Sequence, residues 1–483
     1  MNKKKTPKST PSLLEPHSSG GETAQKGFVF QDGVLLSQLP KWLAHEGFTA
    51  LTRESIGDTE VKFFIPGQDF VIDFWETKDH HLTPSEFWDE IARFKEIHTG
   101  SPNTYRSFTL ASVGLSAYIK RIETALRRVR DPYEFYGPQS PVIENSYQDF
   151  EARVVSTGHS REDARFLFDR VLILSDFGTA RHNADGLFRQ GVDDWLPKFR
   201  DLRSRDIGMV FTKLQSLVSS RMNSLISRKE IKAAISEVLG QICPPQQPIS
   251  ICTRTDAEPY KQTDLCLDWA DFFGGENRQY PSSGEWNTRL LGQLRETHTW
   301  ILRNRSGRRI RLSGSRRLSA ALAIGSVFSA VSGFVIDLDY RGETWSTDAH
   351  PDGTTPPYEF AATEISGDDS NLVVVVGLGR DILDDVKAAL PTLRLERASL
   401  LHLHGSRPIV YSQQANAAVG YLKQAISQQV TKTGTSQIHL FFSGPSHFAL
   451  FFGHRLNATA PVQCYEWTGG STYVPTCMIY VNG

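Results

Sequence analysis

Asp58, Glu60, Glu76 and Lys78 are the residues of this sequence whose types and spacing suit metal-assisted chemistry. Glu76 and Lys78 belong to the run Asp73-Phe74-Trp75-Glu76-Thr77-Lys78, which reads as a strand. Side chains alternate along a strand, so these two share a face while Asp73 and Trp75 take the other. A shorter run, Glu60 to Ile65, precedes it through Pro66-Gly67-Gln68-Asp69, a connection that predicts a hairpin. With the loop at Gly67–Asp69, antiparallel pairing sets Glu60 opposite Glu76 and Asp58 opposite Lys78. Carboxylates and an ammonium on one surface suit phosphodiester hydrolysis with Mg²⁺ or another divalent metal. Asp58, Glu60 and Glu76 are the candidate metal ligands, and Glu60, Glu76 and Lys78 the candidate catalytic residues, with Lys78 positioning water and offsetting developing charge. The same pattern also fits a solvent-facing charge pair across strands, and the choice between Asp58 and Glu60 as first ligand stays open.

A second kind of chemistry lies near the C-terminus. Gln437 to Trp467 reads as a buried strand, the small-residue turn Ser443-Gly444-Pro445-Ser446, a helix and a further strand. A helix opening at the carboxyl edge of a parallel sheet offers backbone N–H groups and its dipole to an anion, and Gly444 admits close approach. The same logic recurs upstream. Arg309 to Leu312 forms a short strand, and Ser313-Gly314-Ser315-Arg316-Arg317-Leu318-Ser319 leads into a helix with arginines at the turn. Ser313, Gly314, Arg316, Arg317, Ser319, Ser443, Gly444, Pro445 and Ser446 are therefore candidate phosphate-binding positions, and Trp467 offers a ring for a base to stack on. Ordinary strand-to-helix turns and solubilising arginines look the same. Gly377-Leu378-Gly379 begins a dinucleotide fingerprint but places Ile382 at the third glycine, and His402 and His404 read as strand histidines.

These groups need elements to hold them. Apolar residues recur at helical spacing from Gly27 to Leu43, Thr83-Pro84-Ser85-Glu86 is a capping box for a helix through about His98, and Cys243-Pro244-Pro245 breaks the pattern as a domain boundary. Lys120, Arg121, Arg127, Arg128 and Arg130 make the densest basic cluster of the first half, suited to tracking duplex phosphates or simply to solvation. The remainder to about Leu239 reads as mostly helical. In the second half Leu265–Phe273 reads as the leading strand, and Leu318 to Ile336 as a buried helix followed by a strand rather than a membrane span.

At 483 residues the chain exceeds one core. Lys and Arg number 53 against 54 Asp and Glu, so no global charge advertises a nucleic-acid partner. Five scattered cysteines suggest neither zinc nor a disulfide framework, and with no apolar signal in residues 1–26 the expected home is the cytoplasm.

The string HLFFSGPSHFALFFGHRLNATAPVQCYEW, followed by Tyr473-Val474-Pro475, resembles the signature of the SAVED domain, the cyclic-oligonucleotide sensor of bacterial anti-phage (CBASS) effectors. The resemblance continues upstream through Ile310 to Gly333. Gly27-Phe28-Val29-Phe30-Gln31 and the acidic hairpin resemble the PD-(D/E)xK endonuclease domain found fused to SAVED, with Phe30 where that family has Tyr. The polar, Lys-, Ser-, Pro- and Gly-rich residues 1–26 read as a disordered tail, and the resemblance implies an α/β protein with a PD-(D/E)xK-like restriction-endonuclease fold at 27–240 and a SAVED domain of two fused Rossmann-like (CARF-like) halves at 245–483. It implies a metal-dependent endonuclease that cuts double-stranded DNA once a cyclic trinucleotide, made by a partner CD-NTase, occupies the sensor and drives homo-oligomerisation, without a membrane. The alternatives are a sensor or adaptor with an inert N-terminal domain, and a Rossmann-type enzyme acting on a small substrate.

Overall fold

The structure is a computed structural model that describes residues 16–131, 133–136, 140–175, 177, 181–256, 261–457 and 460–480. The chain divides into two compact units, Met1–Phe64 with Phe70–Pro244, and Ile65–Asp69 with Pro245–Gly483. Residues 1–15 of the expected tail lie outside the described residues, and residues 16–26 already belong to the first helix.

The first unit runs α1 (Pro16–Ala44), β1 (Phe48–Arg53), β2 (Thr59–Ile65), β3 (Asp69–Leu82), α2 (Pro84–Gly100), β4 (Tyr105–Leu115), α3 (Ala117–Arg130), α4 (Tyr133–Tyr136), α5 (Pro141–Ser156), α6 (Arg161–Arg170), β5 (Val171–Leu174), α7 (Arg181–Trp195), α8 (Ser204–Ser219), β6 (Leu225–Ser227) and α9 (Arg228–Leu239). Its six strands pair in the order β5-β4-β3-β2-β1-β6. β3, β4 and β5 are parallel, whereas β1 runs antiparallel to both β2 and β6. The Thr83 capping box starts α2, with Pro84 in its first turn, and Phe87, Ile91 and Phe94 pack that helix onto the sheet. Phe74 of β3, Phe94 of α2 and Phe108 of β4 form the aromatic centre of the core on this face. Trp75 points the other way and meets Trp42 of α1 edge to face at 5.4 Å.

The second unit holds β7 (Ile249–Arg254), β8 (Leu265–Asp268), α10 (Ser283–Glu285), α11 (Leu291–Asn304), β9 (Arg309–Gly314), α12 (Leu318–Val327), β10 (Val335–Tyr340) and β11 (Glu343–Ser346). It continues with β12 (Ala361–Ile365), β13 (Asn371–Leu378), α13 (Leu383–Leu393), β14 (Ser399–Gly405), α14 (Ser412–Thr433), β15 (Gln437–Ser443), α15 (Ser446–Arg455), β16 (Val462–Gly469) and β17 (Thr472–Ile479). Two sheets result, ordered β11-β10-β9-β7-β8 and β12-β14-β13-β15-β16-β17; the first is parallel except for β11 at one rim, and the second is parallel at its centre with β12 and β17 antiparallel at its two rims. The leading strand of this unit is β7, not Leu265–Phe273, whose strand stops at Asp268. Val373 to Val376 of β13 are wholly buried, as a strand covered on both faces requires. α13 covers the face of Val373, Val375 and Phe441, while Phe448 of α15 stacks on Phe442 from the other.

α12 and α15, the helices that follow β9 and β15, cross with backbone against backbone. A Cβ at Gly325 would stand 2.2 Å from the carbonyl oxygen of Leu450, and one at Gly453 would stand 2.2 Å from that of Leu322. Only glycine fits at either place. The two turns predicted to bind phosphate therefore open onto helices in direct contact.

Candidate functional sites

In the first unit, Asp58, Glu76 and Lys78 converge. Asp58 lies at the end of the loop entering β2, where the Thr77 N–H and hydroxyl donate to its Oδ2 at 2.7 and 2.6 Å and Gln31 of α1 donates to Oδ1 at 2.7 Å. Lys78 Nζ is 3.0 Å from Glu76 Oε1 and 2.7 Å from Glu90 Oε1 of α2. Arg93, three residues along that helix, donates to the other oxygen of Glu76 and reaches Glu90 at 3.1 Å. Burial raises the carboxyl of Glu76 above its ordinary range, and the charge of Asp58 pushes it further. Asp58 is likewise raised by burial, against the hydrogen bonds from Thr77. Burial alone would depress the Lys78 ammonium, but its bonds to Glu90 and Glu76 more than reverse this and hold it above its usual value.

Glu60 does not join this group. The turn closes over Pro66–Gln68, with the Gln68 N–H bonded to Ile65 O at 3.0 Å, one residue before the Gly67–Asp69 loop that the sequence suggested. A loop displaced by one residue moves the pairing by two and slides Glu60 along the strand. There its carboxylate accepts from the Ser55 hydroxyl and, at 3.1 Å, from that of Tyr105.

Among the described residues no three His, Cys, Asp or Glu side chains form a ready metal-ligand cluster. Asp58 and Glu76 are a two-carboxylate set, and one or two carboxylates completed by water are how proteins usually hold Mg²⁺. Two desolvated, mutually repelling carboxyls are a donor set that a cation would relieve. Glu90 and Arg93 escaped the sequence reading. Their signal was present, since on the helix started by the Thr83 box they lie three apart and share a face.

In the second unit, Gly314 closes β9 at φ 82°, and a Cβ there would meet the carbonyl oxygen of Thr253 at 2.1 Å. The Ser313 carbonyl accepts from the Thr253 hydroxyl at 3.1 Å. Arg316 follows, its Nε buried without a hydrogen-bond partner and its Nη1 only 3.4 Å from Thr253 and from Ser313 O. Burial pulls its guanidinium down to about 10. Arg317 lies over the ring of Phe273 at 4.2 Å and that of Tyr280 at 4.9 Å. Ser319 departs from expectation. Its N–H, in the first turn of α12, donates to Glu466 at 2.8 Å, so a buried carboxylate of the chain itself takes the place foreseen for a phosphate. Its hydroxyl accepts from Thr476 at 2.9 Å.

The matching turn after β15 keeps its helix N-terminus uncapped by any side chain, with Pro445 at the cap and Ser446 opening α15. A Cβ on Gly444 would press on Phe442 at 3.0 Å and Leu378 at 3.1 Å, and Ser443 pairs with Gly377 of β13. Next comes His447, with its Nε2 unpartnered and its ring 4.0 Å from Tyr340 and 4.7 Å from Trp345. Burial pulls His447 down to about 4, and the positive charges of Arg316 and Arg341 add to this. Arg316 of one half and His447 of the other thus share one neighbourhood. Trp467 is 48% exposed, with Arg380 over its ring at 5.3 Å. His402 is buried and 3.0 Å from Asp381. The unpartnered Nε of Arg316 and Nε2 of His447 suit an anionic ligand, and the half-buried ring of Tyr340 beside His447 suits one that also carries a flat base.

Residues 293–479 match the SAVED family, described as the SMODS-associated and fused to various effectors sensor domain. Over 471 residues the chain is 29% identical to CD-NTase-associated protein 4 of Moraxella osloensis, covering 97% of this chain and 99% of that protein. Its fold is similar to that of the Acinetobacter baumannii Cap4 SAVED/CARF-domain containing receptor, solved with the cyclic trinucleotide 2′3′3′-cAAA, at a TM-score of 0.82 and 26% identity over 94% of this chain and 99% of that one. The complex of that receptor with 3′3′3′-cAAA matches at a TM-score of 0.82 and 25% identity, with the same coverage. No helix among the described residues is long and apolar enough to cross a membrane.

Proposed function

We propose that this SAVED-domain chain, similar from end to end to CD-NTase-associated protein 4, is the effector nuclease of a CBASS antiviral system. A cyclic trinucleotide, made by a partner CD-NTase, occupies the second unit, and the first unit then cuts double-stranded DNA. The observation that carries the nuclease half is the convergence of Asp58, at the entry to β2, with Glu76 and Lys78 in the middle of β3, both carboxyls being raised by burial. What supports the sensor half is the pair of unpartnered nitrogens, Arg316 Nε and His447 Nε2, the latter beside Tyr340.

Asp58 and Glu76 would hold the divalent cation, Mg²⁺ or another. Once bound, such an ion polarises a phosphate oxygen and acidifies a water. Lys78 keeps its proton at neutral pH because Glu90 and Glu76 both bond to it, so it serves as a positive charge for the phosphate rather than as a base. Gln31 and Thr77 fix the Asp58 carboxylate, leaving it few rotamers to lose. Assembly supplies control without altering this constellation, since joining weak DNA sites into one array raises their effective concentration.

Lys78→Ala and Glu76→Gln should abolish Mg²⁺-dependent cleavage of duplex DNA while binding of 3′3′3′-cAAA, followed by calorimetry, stays as in the wild type. Light scattering should show larger species when that trinucleotide is added. Undiminished cutting by both variants would remove the site. Ligand binding and assembly without any cleavage by the wild type would favour the adaptor reading.

A further inference from the structure

The basic helix α3 presents two different populations of cation. Arg130 is folded inward, donating to the carbonyls of Phe168 and Val171 at 2.8 and 2.7 Å and to that of Leu167, and burial pulls its guanidinium down to about 10. It ties α3 to α6 and β5 and is lost to any ligand. Lys120, Arg121 and Arg128 instead line an open cavity of about 600 Å³ between α3 and α5, whose far wall brings Arg153. Thr124 and Ser146 also line it, their hydroxyls donating to Glu123 at 3.3 Å and to the Val142 carbonyl at 2.6 Å, and Asp149 is the single acidic lining residue. Lys120 is engaged by Ser175 at 3.1 Å and Glu123 at 3.7 Å. Among the described residues Arg121, Arg128 and Arg153 have no ion-pair partner.

We infer that this cleft is a phosphate-backbone anchor for duplex DNA, separate from the acidic site. The inference rests on the reading of DNA as the substrate. Three guanidiniums line one trough, a recipe for gripping phosphate oxygens. The spacing also fits. From Lys120 to Arg128 the helix advances about 12 Å at 1.5 Å per residue. One DNA strand places a phosphate about every 3.4 Å along the duplex axis, so roughly three or four face that length. Its apolar lining is limited to Ala117, Ala125, Val129 and Phe150, with Phe150 the single aromatic ring, as expected of an anchor that holds the backbone without stacking on bases. The trough starts at the sheet edge used by the acidic group. β4, which leads into α3, pairs with β3 in register Lys78 to Ser112, and the Ser116 N–H bonds to Leu82 O at the strand end. A strand laid along α3 is thereby led toward the carboxyl end of β3.

The test is DNA binding by the full chain with saturating 3′3′3′-cAAA, in chelator so that no cutting occurs, with a fluorescent duplex of about two helical turns titrated at several salt concentrations. Each phosphate contact contributes about 0.9 to the slope of log affinity on log salt, so Arg121→Gln/Arg128→Gln/Arg153→Gln should lower the slope by about 2.7. Between 50 and 200 mM salt, wild-type affinity should then fall about 40-fold more than that of the variant. Asp149→Asn should act the other way, tightening binding, which a merely damaged protein would not do. A wild type that binds while the triple variant shows an unchanged slope would overturn the anchor and leave the nuclease reading standing. A wild type that binds no duplex would overturn both.

Discussion

Arg316 lets stability and ligand affinity be set against each other in one substitution. Its guanidinium is depressed from 12.5 to about 10 by burial, which means that the folded chain holds this charge at a cost. A group whose protonated form is disfavoured on folding lowers stability throughout the pH range below its folded value, and the penalty fades only as pH rises through it toward the unfolded value. At neutral pH the full penalty is present. At 1.36 kcal/mol per unit it comes to about 3 kcal/mol, and partial exposure of the side chain trims it to about 2 kcal/mol. Arg316→Met keeps most of the volume and removes the charge. The apo protein should therefore become more stable, with the melting transition of the second unit rising by about 4–8 °C. The same change deletes a charge-assisted contact worth about 1.5–3 kcal/mol to a bound phosphate, so affinity for 3′3′3′-cAAA should drop roughly tenfold to a hundredfold. Differential scanning calorimetry and isothermal titration read the two quantities on one preparation. A variant that melts lower than the wild type and binds as tightly would show that Arg316 is a structural cation and that the phosphates go elsewhere.

His447 and His454 make a second, pH-dependent expectation. Burial pulls each down to about 4, so both fold neutral, and stability present above pH 6.5 is lost as the pH falls toward that value. At pH 5 each should cost about 2 kcal/mol, visible as a lower urea midpoint than at pH 7.5, and His447→Gln/His454→Gln should flatten that difference. An unaltered pH response in the double variant would refute the assignment. Gly325→Val should force α12 from α15, lowering the melting temperature by about 4 °C or more and weakening the trinucleotide. Gly353→Ala, where a Cβ meets nothing, should be silent. Equal effects of the two would refute the close helix crossing.

Elements announced by strong local signals were legible. The capping box at Thr83 and the strand, turn and helix around Ser443 stand where composition and periodicity place them. The elements that were missed carry signals that cancel. In β4, YRSFTLASVGL, serines and a glycine interrupt a strand whose residues are mostly buried, and β1, FTALTR, follows so closely on a long helix that no turn punctuation separates them beyond Gly47. The acidic hairpin was read one residue out of place, because Pro66-Gly67-Gln68-Asp69 permits two three-residue turns. Asp69 takes φ 61°, a left-handed conformation that Asp tolerates better than most residues, and that choice decided the register which left Glu60 aside. No local rule could have found Glu466 at the start of α12, since 147 residues separate it from Ser319. The inward turn of Arg130 and the arrival of Arg153 opposite α3 are likewise tertiary facts. Charge spacing along one helix shows how many cations there are and says nothing of which ones the rest of the chain consumes.

The crossing of α12 and α15 has a mechanical corollary. Helices kept apart by leucines or phenylalanines can slide or tilt a little, because side chains between them change rotamer and absorb the movement. Here the carbonyls of Leu450 and Leu322 lie against glycine backbone, leaving no side chain at the point of contact to absorb anything. A displacement of the turn at Arg316 is passed undiminished to the turn at Ser446. The two sheets should therefore respond to a ligand as one stiff lever, with the compliance of the second unit left to its periphery, in rim strands such as β12, whose five residues are all exposed.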